Sequence, residues 1–239
     1  MQLQEMIEKR RSVRSYSDTP AEPEILEEVC GFLEQAKPLY PGIQTYMEIV
    51  DKEQVRFFMP WKAPQLLAIY SENKPGYLEN AGFLGQQLDL FLQSLGLGTC
   101  WLGLAKLREK TCPEGMEFVI LLAFGYPKGE VPLRSKEQFR RKKLSQIASE
   151  ADPRLEPARL APSSTNSQPW YFLREQEVFH AYCSTKGLLR HKGLGDMNRI
   201  DMGIALAQLY AANMGTFRFF REEYPEKKDG WEYIGSFRL

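Results

Sequence analysis

A short polar segment near the amino terminus carries residue types that bind anions. In RRSVRSY, three guanidinium groups and a hydroxyl, those of Arg10, Arg11, Ser12 and Arg14, lie within five residues, just after a short predicted helix. The paired N–H donors of a guanidinium match a phosphate or the carbonyl oxygens of a planar ring. Alone, the segment leaves two interpretations open, an anion site or a solvated basic surface.

A second polar segment, APSSTNSQPW at residues 161–170, suits a heterocyclic ligand. Its prolines favour an extended path, while its hydroxyl and amide groups offer both donors and acceptors. A ring with alternating N–H and C=O groups is a ligand of this kind. The segment contains no ionisable catalyst, so we expect it to bind a ligand without reacting, and an ordinary polar loop is the alternative.

The sequence contains no motif for catalysis by side chains or for a metal centre. The two histidines, His180 and His191, and four widely spaced cysteines form neither a zinc motif nor a disulfide framework. We interpret His180 as a structural strand residue and the cysteines as small buried or semi-buried hydrophobic residues. No nucleophile and base pair can be defended. Reaction chemistry is therefore expected from a bound cofactor.

Two further patterns carry less information by themselves. The basic run RSKEQFRRKK, residues 134–143, is by default a solvated face or a linker. The glycines of LGLGTCWLG, residues 95–103, follow a predicted helix and not a strand, so they do not indicate a dinucleotide-binding turn.

Composition and charge exclude several classes of protein. The 239 residues include 31 Lys and Arg against 31 Asp and Glu, so no global basic field attracts nucleic acid or an anionic membrane. The amino-terminal MQLQEMIEKRR carries charge where a signal peptide needs an apolar stretch, and no later segment approaches the roughly 20 apolar residues that span a bilayer. We therefore predict a cytoplasmic protein that binds neither nucleic acid nor membrane.

Hydrophobic periodicity predicts an α+β chain. The apolar spacing favours helices at residues 3–7, 25–33, 80–95 and 199–214. Strands are predicted at residues 44–50, 65–71, 117–124, 170–175, 177–184 and 231–239.

The order of these elements repeats along the chain. Residues 38, 44 and 46 match residues 162, 168 and 170 at an offset of 124 positions, and residues 95 and 96 match 214 and 215 at an offset of 119. Small residues in the two long helices, including Gly82 and Gly203, would permit close approach. We predict two similar halves, 1–148 and 149–239, packed about an internal pseudo-twofold. Chance similarity is the alternative.

Together, RRSVRSY, APSSTNSQPW and the LGLGTCWLG that follows a helix resemble the nitroreductase family of FMN-dependent enzymes. The closest likeness is to a fused, two-lobed branch whose second half carries a run like RIDMGIALAQL, residues 199–209. The resemblance covers nearly the whole chain. It implies a single nitroreductase-like α+β domain over residues 1–239.

The resemblance also implies how a flavin site is assembled. In that family a homodimer binds FMN at its interface, one subunit giving the RRSVR-type segment and the partner giving the PSSxN-type segment. This chain has each segment once, in opposite halves, and PLYPGIQ at residues 38–44 stands where the first half would carry the loop. The resemblance therefore implies one complete flavin site, one decayed site and a monomeric chain.

Individual flavin-binding residues follow from the same resemblance. Arg10 and Ser12 would meet the ribityl chain or its phosphate, and Arg14 the pyrimidine edge. Arg141, with its two neighbours close behind, would complete the phosphate site. The implied cofactor-binding set is Arg10, Arg11, Ser12, Arg14, Leu102, Gly103, Arg141, Pro162, Ser163, Ser164, Asn166 and Gln168. The polar contact that the family often supplies before its second strand has no match in RFFMPWKAP, residues 56–64.

The expected function is that of an FMN-dependent oxidoreductase of the nitroreductase type. NADH or NADPH would reduce the flavin, and a nitroaromatic, a quinone or a similar small acceptor would take the electrons. A flavin-binding module or sensor without turnover is the alternative, and a scaffold with remnant motifs is a further one. Four aromatic residues, Phe57, Phe58, Trp61 and Trp101, are candidates for the pocket wall, although core packing is the more common role.

Overall fold

The computed structural model describes residues 3–57, 63–108, 112–131, 134, 138–185, 194–223 and 226–239. Its helices are α1 Gln4–Lys9, α2 Pro23–Gln35, α3 Tyr77–Ser94, α4 Leu144–Ile147, α5 Glu156–Leu160 and α6 Leu194–Ala212. Its strands are β1 Thr45–Val50, β2 Val55–Arg56, β3 Gln65–Ser71, β4 Gly98–Leu102, β5 Lys106–Leu107, β6 Glu117–Gly125, β7 Trp170–Glu175, β8 Val178–Ser184, β9 Arg218–Phe220 and β10 Trp231–Arg238.

Two four-stranded antiparallel sheets share one topology. The first has the order β1-β3-β6-β4 and the second the order β7-β8-β10-β9. In chain order, the first strand of each sheet pairs with the second, the second with the fourth, and the fourth with the third. Each sheet also has a register shift in the same pair, between β3 and β6 and between β8 and β10. The α+β prediction is therefore confirmed, with matching strand order in the two halves.

The long helices α3 and α6 pack against each other between the sheets. A Cβ on Gly82 would lie 2.1 Å from the carbonyl oxygen of Ile200, and a Cβ on Gly203 would lie 2.0 Å from that of Glu79. Each glycine therefore faces the residue three positions before the other glycine. The helices are related at an offset of 121 positions, two more than matching their carboxyl ends predicts. Glycine is required at both places because the two backbones touch.

An ion pair joins the same two helices beside the crossing. Nη1 of Arg199 lies 2.9 Å from Oε1 of Glu79, and the guanidinium also contacts Glu232 of β10. Burial raises the pKa of Glu79, while the nearby Arg199 opposes that rise. One continuous hydrophobic core runs from the first sheet through both helices to the second sheet.

Most predicted elements match the structure, and four strands were missed. The strands predicted at 65–71 and 170–175 have the observed bounds. Both long helices begin earlier than predicted, at Tyr77 and Leu194. The missed strands are β4, which lies in a glycine-rich run, β9, which has three residues, and β2 and β5, which have two residues each. His191, Phe58 and Trp61 lie outside the described residues.

Across the described ranges, none of the helices combines the length and the apolar character needed to cross a membrane.

Replacing Gly203 by alanine tests the helix crossing. The added methyl group would overlap a backbone carbonyl, so the helices must separate, and we expect a loss of about 3 kcal/mol in the free energy of unfolding. Urea denaturation measures this. The matched control is Gly31→Ala in α2, where nothing lies within 4 Å of the new Cβ and a gain of up to about 1 kcal/mol is expected from helix propensity. Equal effects of the two variants would contradict close helix contact.

Candidate functional site

The RRSVRSY segment runs in extended form beside β4. The N–H of Val13 donates to the carbonyl oxygen of Thr99 at 2.8 Å, and Ser12 and Thr99 form a parallel bridge. A Cβ on Gly98 would lie 2.6 Å from Cβ of Val13, so this strand needs glycine there. The backbone path therefore fixes where Ser12 and Arg14 lie relative to the end of β4.

Arg10 is buried in a polar network that anchors the segment to α3. Its Nε lies 2.8 Å from Oδ2 of Asp89, and the two side chains are 1% and 0% exposed. The other oxygen of Asp89 accepts from Thr99 Oγ1 and, at 2.8 Å, from Nε2 of Gln93. Oε1 of Gln93 accepts the backbone N–H of Arg11 at 3.0 Å. Arg10 therefore holds the segment in place from inside the core.

The loop before β7 has an unusual backbone. Thr165, Asn166 and Gln168 have φ values of 51°, 58° and 48°, in the left-handed region that side chains other than glycine disfavour. Such a conformation persists where surrounding contacts over-determine it, and it is concentrated at ligand sites. The polar residues of this loop are therefore held in a demanding geometry.

Residues of the basic run supply those contacts. Nη1 of Arg141 donates to Oδ1 of Asn166 at 2.6 Å, and its Nε donates to the carbonyl oxygen of Ala161 at 2.9 Å. The backbone N–H of Lys142 donates to Oε1 of Gln168 at 2.7 Å. Nδ2 of Asn166 donates to the carbonyl oxygen of Arg140 at 2.7 Å. The run, taken from sequence as a solvated face or a phosphate site, also clamps the loop.

A cavity of about 290 Å³ lies between the loop, the amino-terminal segment, the end of β4 and α6. Its volume is at the lower end of the roughly 300–1,000 Å³ that is common for small-molecule sites. The residues that line it are Ser12, Arg14, Phe57, Cys100, Trp101, Leu102, Gly103, Leu104, Ala105, Ile120, Pro162, Ser163, Ser164, Thr165, Met197, Ile200, Asp201 and Ile204. The walls thus come from both halves of the chain.

The implied cofactor-binding residues divide into two groups. Seven of them line the cavity: Ser12, Arg14, Leu102, Gly103, Pro162, Ser163 and Ser164. The remaining five are not among the lining residues: Arg10, Arg11, Arg141, Asn166 and Gln168. Of the aromatic candidates, Phe57 and Trp101 are part of the lining.

Sequence reasoning missed Asp201, a buried carboxyl in the cavity wall. The side chain belongs to a residue that is 4% exposed, and both carboxylate oxygens accept from the backbone N–H of Ser164 at 3.0 Å. Burial raises the pKa of Asp201 to about 8, and the hydrogen bond from Ser164 opposes that rise. This direction of the pKa favours the neutral form of the carboxyl at pH 7.

Asn80 occupies the corresponding place in the first half. Its Oδ1 accepts the backbone N–H of Tyr40 at 2.9 Å, as Asp201 accepts that of Ser164. Asn80 lies 121 positions before Asp201, which is the offset of the helix crossing, and Tyr40 lies 124 before Ser164, which is the offset of the loops. A helix-to-loop anchor is thus present twice, with an amide in one half and a carboxyl in the other.

Aromatic and backbone groups pack around the side chain of Tyr40. The Tyr40 ring packs edge-on to Phe219 of β9 with centroids 5.3 Å apart, and its hydroxyl donates to the carbonyl oxygen of Ile234 at 3.2 Å. A Cβ on Gly76 would lie 2.7 Å from that ring, and one on Gly235 would lie 2.2 Å from the Phe219 ring. Tyr40, which lies 124 positions before Ser164, is therefore packed against neighbouring elements of the protein.

Positive charge accumulates behind the loop. The pKa of Arg141 is lowered to about 10 by burial and by Arg10, Arg134 and Arg159, and the pKa of Arg134 is lowered by burial, Arg11 and Arg10. Arg159 is paired with Glu156. Within the described residues, neither Arg134 nor Arg141 has a carboxylate partner, so the cluster would favour a bound anion.

The stability of the chain without ligand should report the state of Asp201. Its pKa rises from 3.8 to about 8 on folding, so folding takes up a proton between these values and stability falls as the pH rises through that window. Urea denaturation from pH 5 to 9 should show wild type losing stability relative to Asp201→Asn, with the difference levelling off above pH 8. Parallel curves for the two proteins would mean that the carboxyl ionises normally.

Comparison with known proteins agrees with this fold. The structure is similar to that of a protein described as a putative nitroreductase from Thermotoga maritima MSB8, with a TM-score of 0.63, 20% identity, and coverage of 99% of this chain and 92% of that one. An FMN-dependent nitroreductase from Clostridium difficile R20291 shares 20% identity over 59% of this chain and 95% of that one, with a TM-score of 0.48. No curated protein matches the chain.

The sequence itself matches a family model. The model described as "Putative TM nitroreductase" covers residues 2–213, which is most of the chain. The similarity to the Thermotoga maritima structure extends the same fold over nearly all of it. The chain belongs to this nitroreductase family of oxidoreductases.

Proposed function

We propose that the chain is an FMN-dependent NAD(P)H oxidoreductase that binds one FMN in the cavity between its halves. The observation that carries this proposal is the meeting of two predicted segments at one cavity. Ser12 and Arg14 come from the first half, and Pro162, Ser163 and Ser164 come from the second. The segments are about 150 positions apart in sequence and line the same space.

The cavity wall fits a flat heterocycle. Leu102, Met197, Ile200 and Ile204 give apolar surface, while hydroxyl groups and Arg14 give hydrogen-bond donors. Gly103 leaves room at the end of β4, where a Cβ would lie 2.9 Å from Sδ of Met197. We assign Leu102 and Gly103 to the ring, and Arg14 to its polar edge.

The arginine cluster fits the phosphate of such a cofactor. Burial lowers the pKa of Arg141 and Arg134, nearby arginines lower it further, and a bound dianion would oppose both effects. We assign Arg141 and Arg134 to the phosphate. Arg10, Arg11, Asn166 and Gln168 then act indirectly, by fixing the segment and the loop that line the cavity.

Bound FMN would supply the redox chemistry, accepting a hydride from NADH or NADPH and passing electrons to a nitroaromatic, a quinone or a similar small acceptor. The side chains of this protein then bind, orient and exclude water. Trp101 and Phe57 narrow the cavity, and the backbone at Gly103 is suited to donate a hydrogen bond to the ring. Polar side chains of the strained loop are held ready before the ligand arrives.

We further propose that the halves, residues 1–148 and 149–239, form an internal pseudo-dimer. The common strand order, the reciprocal glycine contacts and the doubled helix-to-loop anchor support it. Because Tyr40 and Phe219 fill the corresponding position, one flavin per chain is expected. The helix interface is satisfied within one chain, which favours a monomer.

The visible spectrum tests the proposed function. Protein reconstituted with FMN should hold one flavin per chain after gel filtration, and NADH or NADPH should bleach the flavin absorbance under anaerobic conditions. A colourless protein that ignores FMN would refute the proposal. Retained flavin that neither nicotinamide reduces would favour a flavin-binding module without turnover.

Substitutions on opposite walls test the shared site. Arg14→Met in the first half and Ser164→Ala in the second should each weaken binding of the same single FMN, by about tenfold and threefold, because each removes a donor that lines the cavity. Quenching of flavin fluorescence gives the affinity. Arg218→Met, on edge strand β9 away from the cavity, is the matched control and should have no effect. An effect confined to one half would argue against a site built from both.

A further inference from the structure

A neutral Asp201 carboxyl has a donor that its contact with Ser164 does not use. Both carboxylate oxygens take the Ser164 N–H as their partner, and that group is a donor. A neutral carboxyl also carries an O–H that requires an acceptor. Among the described residues, the Ser164 N–H is the group that hydrogen-bonds to Asp201, and Asp201 lines the cavity. A ligand in the cavity is where that acceptor can come from.

Anchoring of the loop does not require a carboxyl. In the first half, Asn80 holds the N–H of Tyr40 with an amide oxygen, in the same arrangement and at nearly the same distance. Nδ2 of Asn80 meets a protein acceptor, Oγ1 of Thr45, at 3.0 Å. In the first half, where Tyr40 is packed, the second polar atom of Asn80 therefore has its partner inside the protein. In the second half, where the cavity is open, the equivalent residue is the acid Asp201, which lines the cavity.

Among the described residues, few charged or titratable groups lie near the Asp201 carboxyl. Arg14 and Cys100 line the same cavity, and Cys183 on β8 has its pKa raised by burial and by Asp201 among other groups. Arg199, two positions earlier on α6, is paired with Glu79 and Glu232. On α5, which packs against α6, Arg159 is paired with Glu156.

We propose that Asp201 is a proton-holding positioning residue, whose neutral carboxyl donates a hydrogen bond to an acceptor atom of the ring system bound in the cavity. This inference rests on the proposed function, and it adds a pH-sensitive contact. When the carboxyl loses its proton, the donor disappears and a negative charge faces the ligand. Binding of the ring must then weaken.

The affinity for FMN as a function of pH tests the proposal. Free Asp201 has a pKa of about 8, and a ligand that binds the neutral form should lose about tenfold in affinity by pH 9 relative to pH 6.5. Asp201→Asn keeps an acceptor for Ser164 and presents an amide donor that does not titrate. Its affinity should match that of wild type at pH 6.5 and remain flat to pH 9. Ionisations of FMN itself affect both proteins equally, so the difference isolates Asp201.

A second variant and a second readout separate the outcomes. Asp201→Ala lacks the donor and should bind FMN more weakly than Asp201→Asn at pH 6.5. In protein without FMN, the infrared difference between wild type and Asp201→Asn should contain a carboxylic-acid C=O band at pH 6.5 that disappears by pH 9. Parallel pH profiles of FMN affinity, or absence of that band, would overturn the role of Asp201 while leaving the flavin site intact. Failure of wild type to bind FMN at any pH would overturn the proposed function and the inference together.

Discussion

The contact between the backbones of α3 and α6 sets the geometry on which the site depends. Gly82 and Gly203 each face a carbonyl group of the opposite helix, so the helices cannot slide or separate without losing this contact. The sheets and the loops are attached to these helices. Asp89 ties the RRSVR segment to α3, and Asp201 ties the PSSTN loop to α6. The helix crossing therefore sets the distance between the segment and the loop. The cavity is the space that this distance leaves.

Much of the fold was visible in the sequence because strand and helix periodicity are local properties. The strands β3 and β7 consist mainly of apolar residues, and the long helices carry broad apolar faces. β4 was not predicted because its Gly98 is required by close contact with Val13, a residue 85 positions earlier, and not by a local pattern. β9 was hidden because three residues carry no period. The offset between the helices was misjudged by two because their carboxyl ends, and not their glycines, were aligned.

The candidate site was predictable as a set of segments but not as a set of contacts. The sequence resemblance implied that Arg10 and Asn166 contact the ligand. In the structure each has a partner inside the protein, Asp89 and Arg141, which lie 79 and 25 positions away. Asp201 was overlooked although it stands within the quoted run at residues 199–209. Pairing it with Asn80 through the repeat would have drawn attention to it, since an acid and an amide occupy equivalent places. Its burial, which gives it chemical interest, arises from tertiary packing.

Both walls of the cavity belong to one polypeptide, and this changes how the site responds to dilution and to mutation. A site divided between two separate chains exists only where the subunits are concentrated enough to associate, whereas here the second wall is always present at the effective concentration set by the connecting chain. In a symmetric assembly, every substitution appears twice. In this chain Ser164 lines the cavity, whereas Tyr40, whose N–H also donates to a long helix, packs against Phe219. Covalent continuity thus permits a division of labour that symmetry forbids.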